Sequence, residues 1–153
     1  GEVHVRGPQV FAGYLDDPEA TAACTTDDGF LTCGDVVTVD DEGYIRIVDR
    51  KKDLIISGGV NVYPRDVEEA VLTFPGVREV AVVGVPHDTW GEQVVAYVVP
   101  APGAEVSAEA LDAHLRGTLA AYKIPRDVVA VEALPRNASG KVLKRDLRDT
   151  YAG

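Results

Sequence analysis

Two stretches of this chain carry residue types suited to chemistry on a small anion. The first is Pro135-Arg136-Asn137-Ala138-Ser139-Gly140-Lys141. A lysine at the tip of a glycine-containing loop reaches outward as a point charge, which suits phosphate or carboxylate oxygens. A lone Gly-Lys pair is more often an ordinary surface lysine, so this run means little in isolation. The second stretch is Asp49-Arg50-Lys51-Lys52-Asp53-Leu54-Ile55-Ile56-Ser57-Gly58-Gly59-Val60-Asn61-Val62-Tyr63-Pro64. Three successive cations are costly to bury, so residues 50–52 belong at a surface. A surface between two apolar blocks marks a domain boundary. Gly58-Gly59 lets the backbone turn tightly or lie close against another group. Two readings stay open here: a plain hairpin after a solvated basic turn, or a hinge followed by a ligand-facing glycine loop.

Other site types are excluded. Gly140-Lys141 is not a Walker A loop, because Pro135 stands where that loop needs glycine and Val142 where it needs Ser or Thr. His4, His87 and His114 are scattered, which gives neither a metal cluster nor a His-based triad. No Gly-x-Ser-x-Gly elbow is present. Cys24 and Cys33 are too few for a disulfide framework or a zinc site, and no metal-binding residues are assigned. The net charge of -10 argues against nucleic acid as a partner. Yet all but two of the 15 Lys and Arg residues fall within 46–65 and 116–148. Such clusters either focus a small anion or form two solvated faces.

The elements that must position these residues follow from periodicity. With 153 residues the chain has room for one ordinary domain, or a small domain plus a piece of another. Residues 2–6 alternate as a strand, and 16–29 carry turn and short-helix signals. Val36–Val39 and Tyr44–Val48 form a hairpin about the loop 40–43. Leu54–Ile56 is an apolar strand followed by a short return strand. Val67, Ala70, Val71 and Phe74 share a helical face in a helix that begins near Pro64 and stops at Pro75-Gly76. Val80–Val85 and Val94–Val99 are near-continuous apolar runs, expected of strands covered on both faces, with a loop over 86–91. Ser107 is a helix N-cap, and Leu111, Leu115, Leu119 and Tyr122 form one stripe ending before Pro125. Burying those three leucines is worth roughly 5–9 kcal/mol before chain entropy is subtracted. Val128–Val131 is a further strand, 135–140 a loop, and a short basic helix closes the chain.

The expected fold class is therefore α+β. Residues 54–153 form a small domain with a three-stranded sheet flanked by helices, plus a β-hairpin. A mostly β piece precedes it over 1–49, too short to be a domain by itself. No run of about 18 apolar residues exists, so no membrane span is expected. No signal-peptide pattern opens the chain, and the low cysteine count suits a cytoplasmic setting. The chain has no methionine and begins with glycine, which is expected of a fragment or a trimmed chain.

Taken together, the motifs resemble one superfamily. They are Gly1-Glu2-Val3, Arg6-Gly7-Pro8, Gly13-Tyr14, Gly29-Phe30-Leu31-Thr32-Cys33-Gly34-Asp35 and Asp41-Glu42-Gly43-Tyr44. After them stand Asp49-Arg50-x-Lys52-Asp53, Ser57-Gly58-Gly59-x-Asn61-x-Tyr63-Pro64, Gly84-Val85-Pro86, Trp90-Gly91-Glu92, Tyr122-Lys123-x-Pro125 and Pro135 to Lys141. In this order and spacing the chain resembles the C-terminal part of the adenylate-forming acyl-CoA synthetases. That superfamily includes aryl-CoA ligases, luciferases and peptide-synthetase adenylation domains.

The resemblance implies two half-reactions. ATP and a carboxylic acid give an acyl-adenylate and pyrophosphate, and CoA then gives the thioester and AMP. It implies that 1–49 end a large N-terminal adenylation domain, mostly missing here, that 50–53 are a hinge, and that 54–153 rotate between the steps. By motif, Asp35 binds the ribose hydroxyls and Arg50 the ribose or phosphate region. Lys52 is the hinge residue, Gly58 and Gly59 line the pantetheine channel, and Lys141 is catalytic in adenylation. Mg2+ arrives with ATP. The glycine stretch looks most like that of fatty-acyl and other acyl-CoA ligases. Cys33 departs from the usual threonine, which leaves any contact made by that hydroxyl in question. Two alternatives are an enzyme that loads a carrier protein instead of CoA, and a noncatalytic module of the same fold. The fragment by itself is expected to be inactive.

Overall fold

The structure is a computed structural model that describes residues 1–152. The chain divides into two compact units, Gly1–Lys52 and Asp53–Gly153.

The first unit is an antiparallel sheet of β1 (Glu2–Val5), β2 (Leu31–Val39) and β3 (Ile45–Arg50), in the order β1-β2-β3. A short helix α1 (Pro18–Ala23) lies in the long connection between β1 and β2. Asp17 caps it, its Oδ1 accepting from the Ala20 N–H at 2.9 Å. Both later strands are longer than the apolar runs 36–39 and 44–48 suggest, because pairing extends them into polar sequence. That extension puts Cys33, Gly34 and Asp35 on β2.

The second unit is α+β. Its sheet contains β4 (Ile55–Ser57), β5 (Val60–Val62), β6 (Val77–His87), β7 (Gly91–Pro100) and β8 (Asp127–Ala130). The order is β5-β4-β7-β6, with β8 pairing parallel to β7. The β4–β5 hairpin is thus not a separate ribbon beside a three-stranded sheet. It joins the sheet through the single pair Ser57↔Gly91.

Residues of β6 and β7 alternate between two apolar layers. Val82, Val94, Ala96 and Val98 face one cluster with Val67, Ala70 and Val71 of α2 (Pro64–Val71) and Leu111 and Leu115 of α3 (Ala108–Leu115). Ala81, Val83, Val85, Val95, Tyr97 and Val99 face the other, with Leu134 and with Leu147 of α4 (Lys144–Asp149). Two covered faces explain why these strands read as unbroken apolar runs.

Three boundaries differ from the periodicity. α2 ends at Val71, so Phe74 packs from a turn rather than from the helix. α3 stops at Leu115, where Arg116-Gly117-Thr118 follows; glycine weakens a helix, and a 3₁₀ turn over Ala121–Lys123 takes over. Leu119 is therefore only partly buried and Tyr122 is 45% exposed, outside any core stripe. Between β6 and β7 the ladder continues to His87↔Gly91, leaving a turn of three residues where a six-residue loop is expected. Among the described residues, no helix is long and apolar enough to cross a membrane.

Candidate functional site

In the first unit, Asp35 and Arg50 are brought together as cross-strand partners of β2 and β3. Arg50 Nε donates to Asp35 Oδ1 at 2.6 Å. The reason lies in the register of that ladder: Val37 faces Ile47 but Val36 faces Asp49, so Val48 is an extra residue that sets Asp35 opposite Arg50 rather than Asp49. The β1–β2 ladder is irregular as well. Glu2 faces Val36 and His4 faces Thr32, so two steps along β1 match four along β2. Gly34, in the middle of the excess, has φ +68°, a left-handed conformation that glycine adopts without a Cβ penalty. Asp35 follows it directly on β2. Its side chain is 22% exposed, half screened by its arginine yet open to solvent.

A cleft of about 330 Å³ lies beside this pair, lined by Thr32, Cys33, Gly34, Arg50, Lys51 and Lys52. Its rim is cationic. Lys51 is tied to Glu2 at 2.8 Å, and that contact holds the Glu2 carboxyl below its usual range. Lys52 is exposed at the boundary between the units. A carboxylate with free lone pairs suits diol recognition, and a cationic cleft suits phosphate.

In the second unit, Lys141 sits on a built loop. Asn137 Oδ1 accepts from the Ser139 N–H at 3.1 Å, the Ser139 hydroxyl at 2.8 Å and the Lys141 N–H at 2.9 Å. The Asn137 N–H donates to the Lys141 carbonyl at 3.0 Å, and Arg136 donates to the Gly140 carbonyl at 2.7 Å. These bonds fix the backbone of Lys141 and leave its side chain exposed. Arg136 also pairs with Glu79, which pins the loop to one end of β6.

Gly58 and Gly59 form the two-residue turn of the β4–β5 hairpin, with φ of +58° and +78°. Both central residues of a tight I′-like hairpin turn need positive φ, which is one physical reason for the pair. Gly58 has a second reason. A Cβ there would lie 3.1 Å from Cε3 of Trp90, whereas at Gly59 it would meet nothing within 4 Å. The Gly58 N–H donates to the Trp90 carbonyl at 2.8 Å, and Arg126 stacks over the Trp90 ring at 4.3 Å.

The hairpin is therefore pinned to the β6–β7 turn and the Lys141 loop to Glu79. Glu79 and His87 lie eight residues apart on β6, roughly 26 Å at the rise of an extended strand. The two features stand toward opposite ends of one sheet.

Sequence reasoning missed several residues that hold these features in place. Glu92 Oε2 accepts from the Ile56 N–H at 2.7 Å, and Arg148 pairs with Asp53 at 3.2 Å. Glu68 Oε1 accepts from the Val82 N–H at 2.8 Å and pairs with Lys144 at 2.7 Å. Of these, Glu92 and Asp53 had a signal, their places in Trp90-Gly91-Glu92 and Asp49-Arg50-x-Lys52-Asp53.

The profile of the AMP-binding enzyme C-terminal domain matches residues 66–141. Over 149 residues the chain is 52% identical to a 3-[(3aS,4S,7aS)-7a-methyl-1,5-dioxo-octahydro-1H-inden-4-yl]propanoyl:CoA ligase of Rhodococcus jostii, covering 97% of this chain and 29% of that protein. It is 49% identical to a feruloyl-CoA synthase of Amycolatopsis over 99% of this chain and 30% of that one. Among solved structures, ATP-bound MatB from Rhodopseudomonas palustris superposes with a TM-score of 0.90 at 46% identity, over 99% of this chain and 30% of that one. The chain spans about 30% of the length of these relatives.

Proposed function

The chain belongs, through residues 66–141, to the AMP-binding enzyme C-terminal domain family, and on that premise we propose that it is the C-terminal part of an AMP-forming acid–CoA ligase. Its parent converts a carboxylic acid and ATP to an acyl-adenylate and pyrophosphate. The CoA thiol then attacks the acyl carbon, and AMP leaves as the thioester forms. Magnesium enters with ATP.

One observation carries this reading. Lys141 and the Gly58–Gly59 hairpin stand toward opposite ends of a sheet buried on both faces. A rigid body of that kind presents them in turn by rotating, not by bending. Lys141 serves adenylation, its ammonium meeting charge on the carboxylate and α-phosphate oxygens. The hairpin serves thioester formation, its glycines leaving room for an extended pantetheine chain. Lys52, exposed at the boundary between the units, is the pivot, and 54–153 the rotating domain.

In the first unit, Asp35 accepts the ribose hydroxyls. Arg50 holds Oδ1 of that carboxylate and keeps it aimed, while its exposed face meets phosphate. Cys33 lines the same cleft without a hydroxyl to offer. Relatives that share about half of this sequence are named for different acids, which supports placing acyl choice outside the present residues.

The test is carboxylate-dependent ATP–pyrophosphate exchange by the full-length parent over a panel of acids. Exchange is expected to need one class of acid and to fall on the order of 10²–10³-fold in Lys141→Ala. Thioester formation from supplied acyl-adenylate should stay within a few-fold. Acyl transfer to a phosphopantetheinyl protein but not to free CoA would replace CoA in this reading with a carrier. No exchange with any acid, or equal loss of both half-reactions, would overturn the role of Lys141.

A further inference from the structure

The hairpin that bears Gly58 and Gly59 is joined to the rest of its sheet in an unusual way. β4 has only three residues, and only Ser57↔Gly91 pairs it with β7. In the β4–β5 ladder, Ser57 opposes Val60 across the two-residue turn, and Ile56 opposes Asn61. In an antiparallel pair, alternate residues turn their N–H groups away from the partner strand. The N–H groups of Ile56 and Gly58 are the two that turn toward β7. Gly58 meets a backbone carbonyl, that of Trp90, at 2.8 Å. Ile56 meets no carbonyl. Its N–H donates instead to the Glu92 carboxylate at 2.7 Å.

A carboxylate stands in for the missing rung of a ladder. A hydrogen bond to an ionised acceptor is roughly twice as strong as a neutral one, which suits a strand held at so few points. The neighbouring strand makes room for it. A Cβ on Gly84 of β6 would lie 3.0 Å from Glu92 Oε1 and 2.9 Å from Ile55 Cγ2. Gly84 thus leaves space for both the carboxylate and the side chain of β4's first residue. Ile55 is buried, while Ile56 is exposed, so the Glu92 bond fixes the rim of the hairpin rather than its core.

We infer that Glu92 is a positioning residue for thioester formation: it sets where the hairpin, and with it Gly58 and Gly59, stands at the end of the sheet. Glu92 acts through the Ile56 backbone and touches no reacting atom. The inference deepens the proposed function and rests on it for the catalytic part. The Lys141 loop, pinned to Glu79 toward the far end of β6, is outside its reach.

The experiment uses the full-length parent with Glu92→Ala, Glu92→Gln and Glu92→Met. Gln keeps an acceptor oxygen, and Met keeps bulk without one, which covers the case in which Ala fails to fold. Misplacing a substrate channel by about 1 Å costs on the order of 10²-fold. Thioester formation from supplied acyl-adenylate should therefore fall by that order in the Ala and Met variants and be largely rescued in Gln. Pyrophosphate exchange should stay within about twofold, since it uses the other end of the sheet. Equal loss of both half-reactions, or no rescue by Gln, would overturn the proposal.

A second readout is independent of activity. Amide hydrogen exchange at residues 55–62 should rise at least about tenfold in Ala and Met but not in Gln, with β6 and α2 unchanged. Unchanged exchange there would sink the positioning role whatever the parent catalyses. The expected exchange pattern in a parent that makes no adenylate would support the positioning role and refute the proposed function separately.

Discussion

Gly58 and Gly59 are adjacent, identical and both in left-handed backbone, yet the structure separates their costs. For a residue with a Cβ, that conformation costs roughly 1–2 kcal/mol. Gly59→Ala should cost only this amount, because nothing lies within 4 Å of the new methyl group. Gly58→Ala should cost more. Its Cβ would stand 3.1 Å from Trp90 Cε3, so the indole must shift. The ring carries Arg126 on its face at 4.3 Å, a contact worth about 0.5–1 kcal/mol at an exposed site. The sum for Gly58→Ala is then about 1.5–3 kcal/mol, against about 1–2 for Gly59→Ala. Trp90 is the only tryptophan in the chain, so its fluorescence reports on this contact without interference. Urea titrations followed by Trp90 emission and by far-ultraviolet dichroism give both stabilities. Native-state emission should move in Gly58→Ala and stay put in Gly59→Ala. Equal destabilisation by the two substitutions, or unaltered emission in Gly58→Ala, would refute the packing argument and leave turn geometry as the only reason for the pair.

Two further perturbations test the second unit. A double-mutant cycle on Asp53 and Arg148, 3.2 Å apart and both mostly shielded, should give a coupling of about 1 kcal/mol; a coupling of zero would mean that α4 does not anchor the start of this unit. Tyr97 and Tyr151 titrate above the usual tyrosine value near 10, chiefly because burial disfavours the phenolate. A raised folded pKa favours the neutral phenol, so this stability is present below pH 10 and is lost as pH rises through the folded value. Urea unfolding on either side of that pH should show a loss that Tyr97→Phe reduces. Tyr97→Phe also forfeits the hydroxyl bond to the Leu147 carbonyl at 2.8 Å, costing about 1 kcal/mol at neutral pH. An alkaline loss of the same size in Tyr97→Phe would exclude Tyr97 as its source.

Legibility varied with the range of the interaction. The strands around Val80–Val85 and Val94–Val99 were visible because burial on both faces leaves an unbroken apolar run. The start of α2 was visible because Pro64 is pre-set for a first helical turn and a three-to-four spacing follows. The end of α3 was misread, because a leucine at the right spacing, Leu119, continues the stripe on paper while Arg116-Gly117-Thr118 ends the helix in fact. Asp35, Arg50, Lys52, Gly58, Gly59 and Lys141 could be named from motif order. Nothing in that order says that Asp35 and Arg50 share an ion pair, since the pairing depends on an extra residue, Val48, that shifts the β2–β3 register.

By itself the sequence determined what depends on neighbours a few residues apart: turn glycines, a proline-started helix, apolar runs and three exposed cations at 50–52, together with the motif order that the chain shares with its relatives. Tertiary structure alone decided what joins distant residues. Glu92 meets Ile56 across 36 positions, Arg148 meets Asp53 across 95, and Arg136 meets Glu79 across 57. Hydrophobic periodicity tells which face of an element is buried but not which element covers it. A carboxylate or guanidinium carries no record in the sequence of the partner it will find. Those three contacts hold the glycine hairpin, the first residue of the second unit and the lysine loop, and so the placement of the candidate site rests on them.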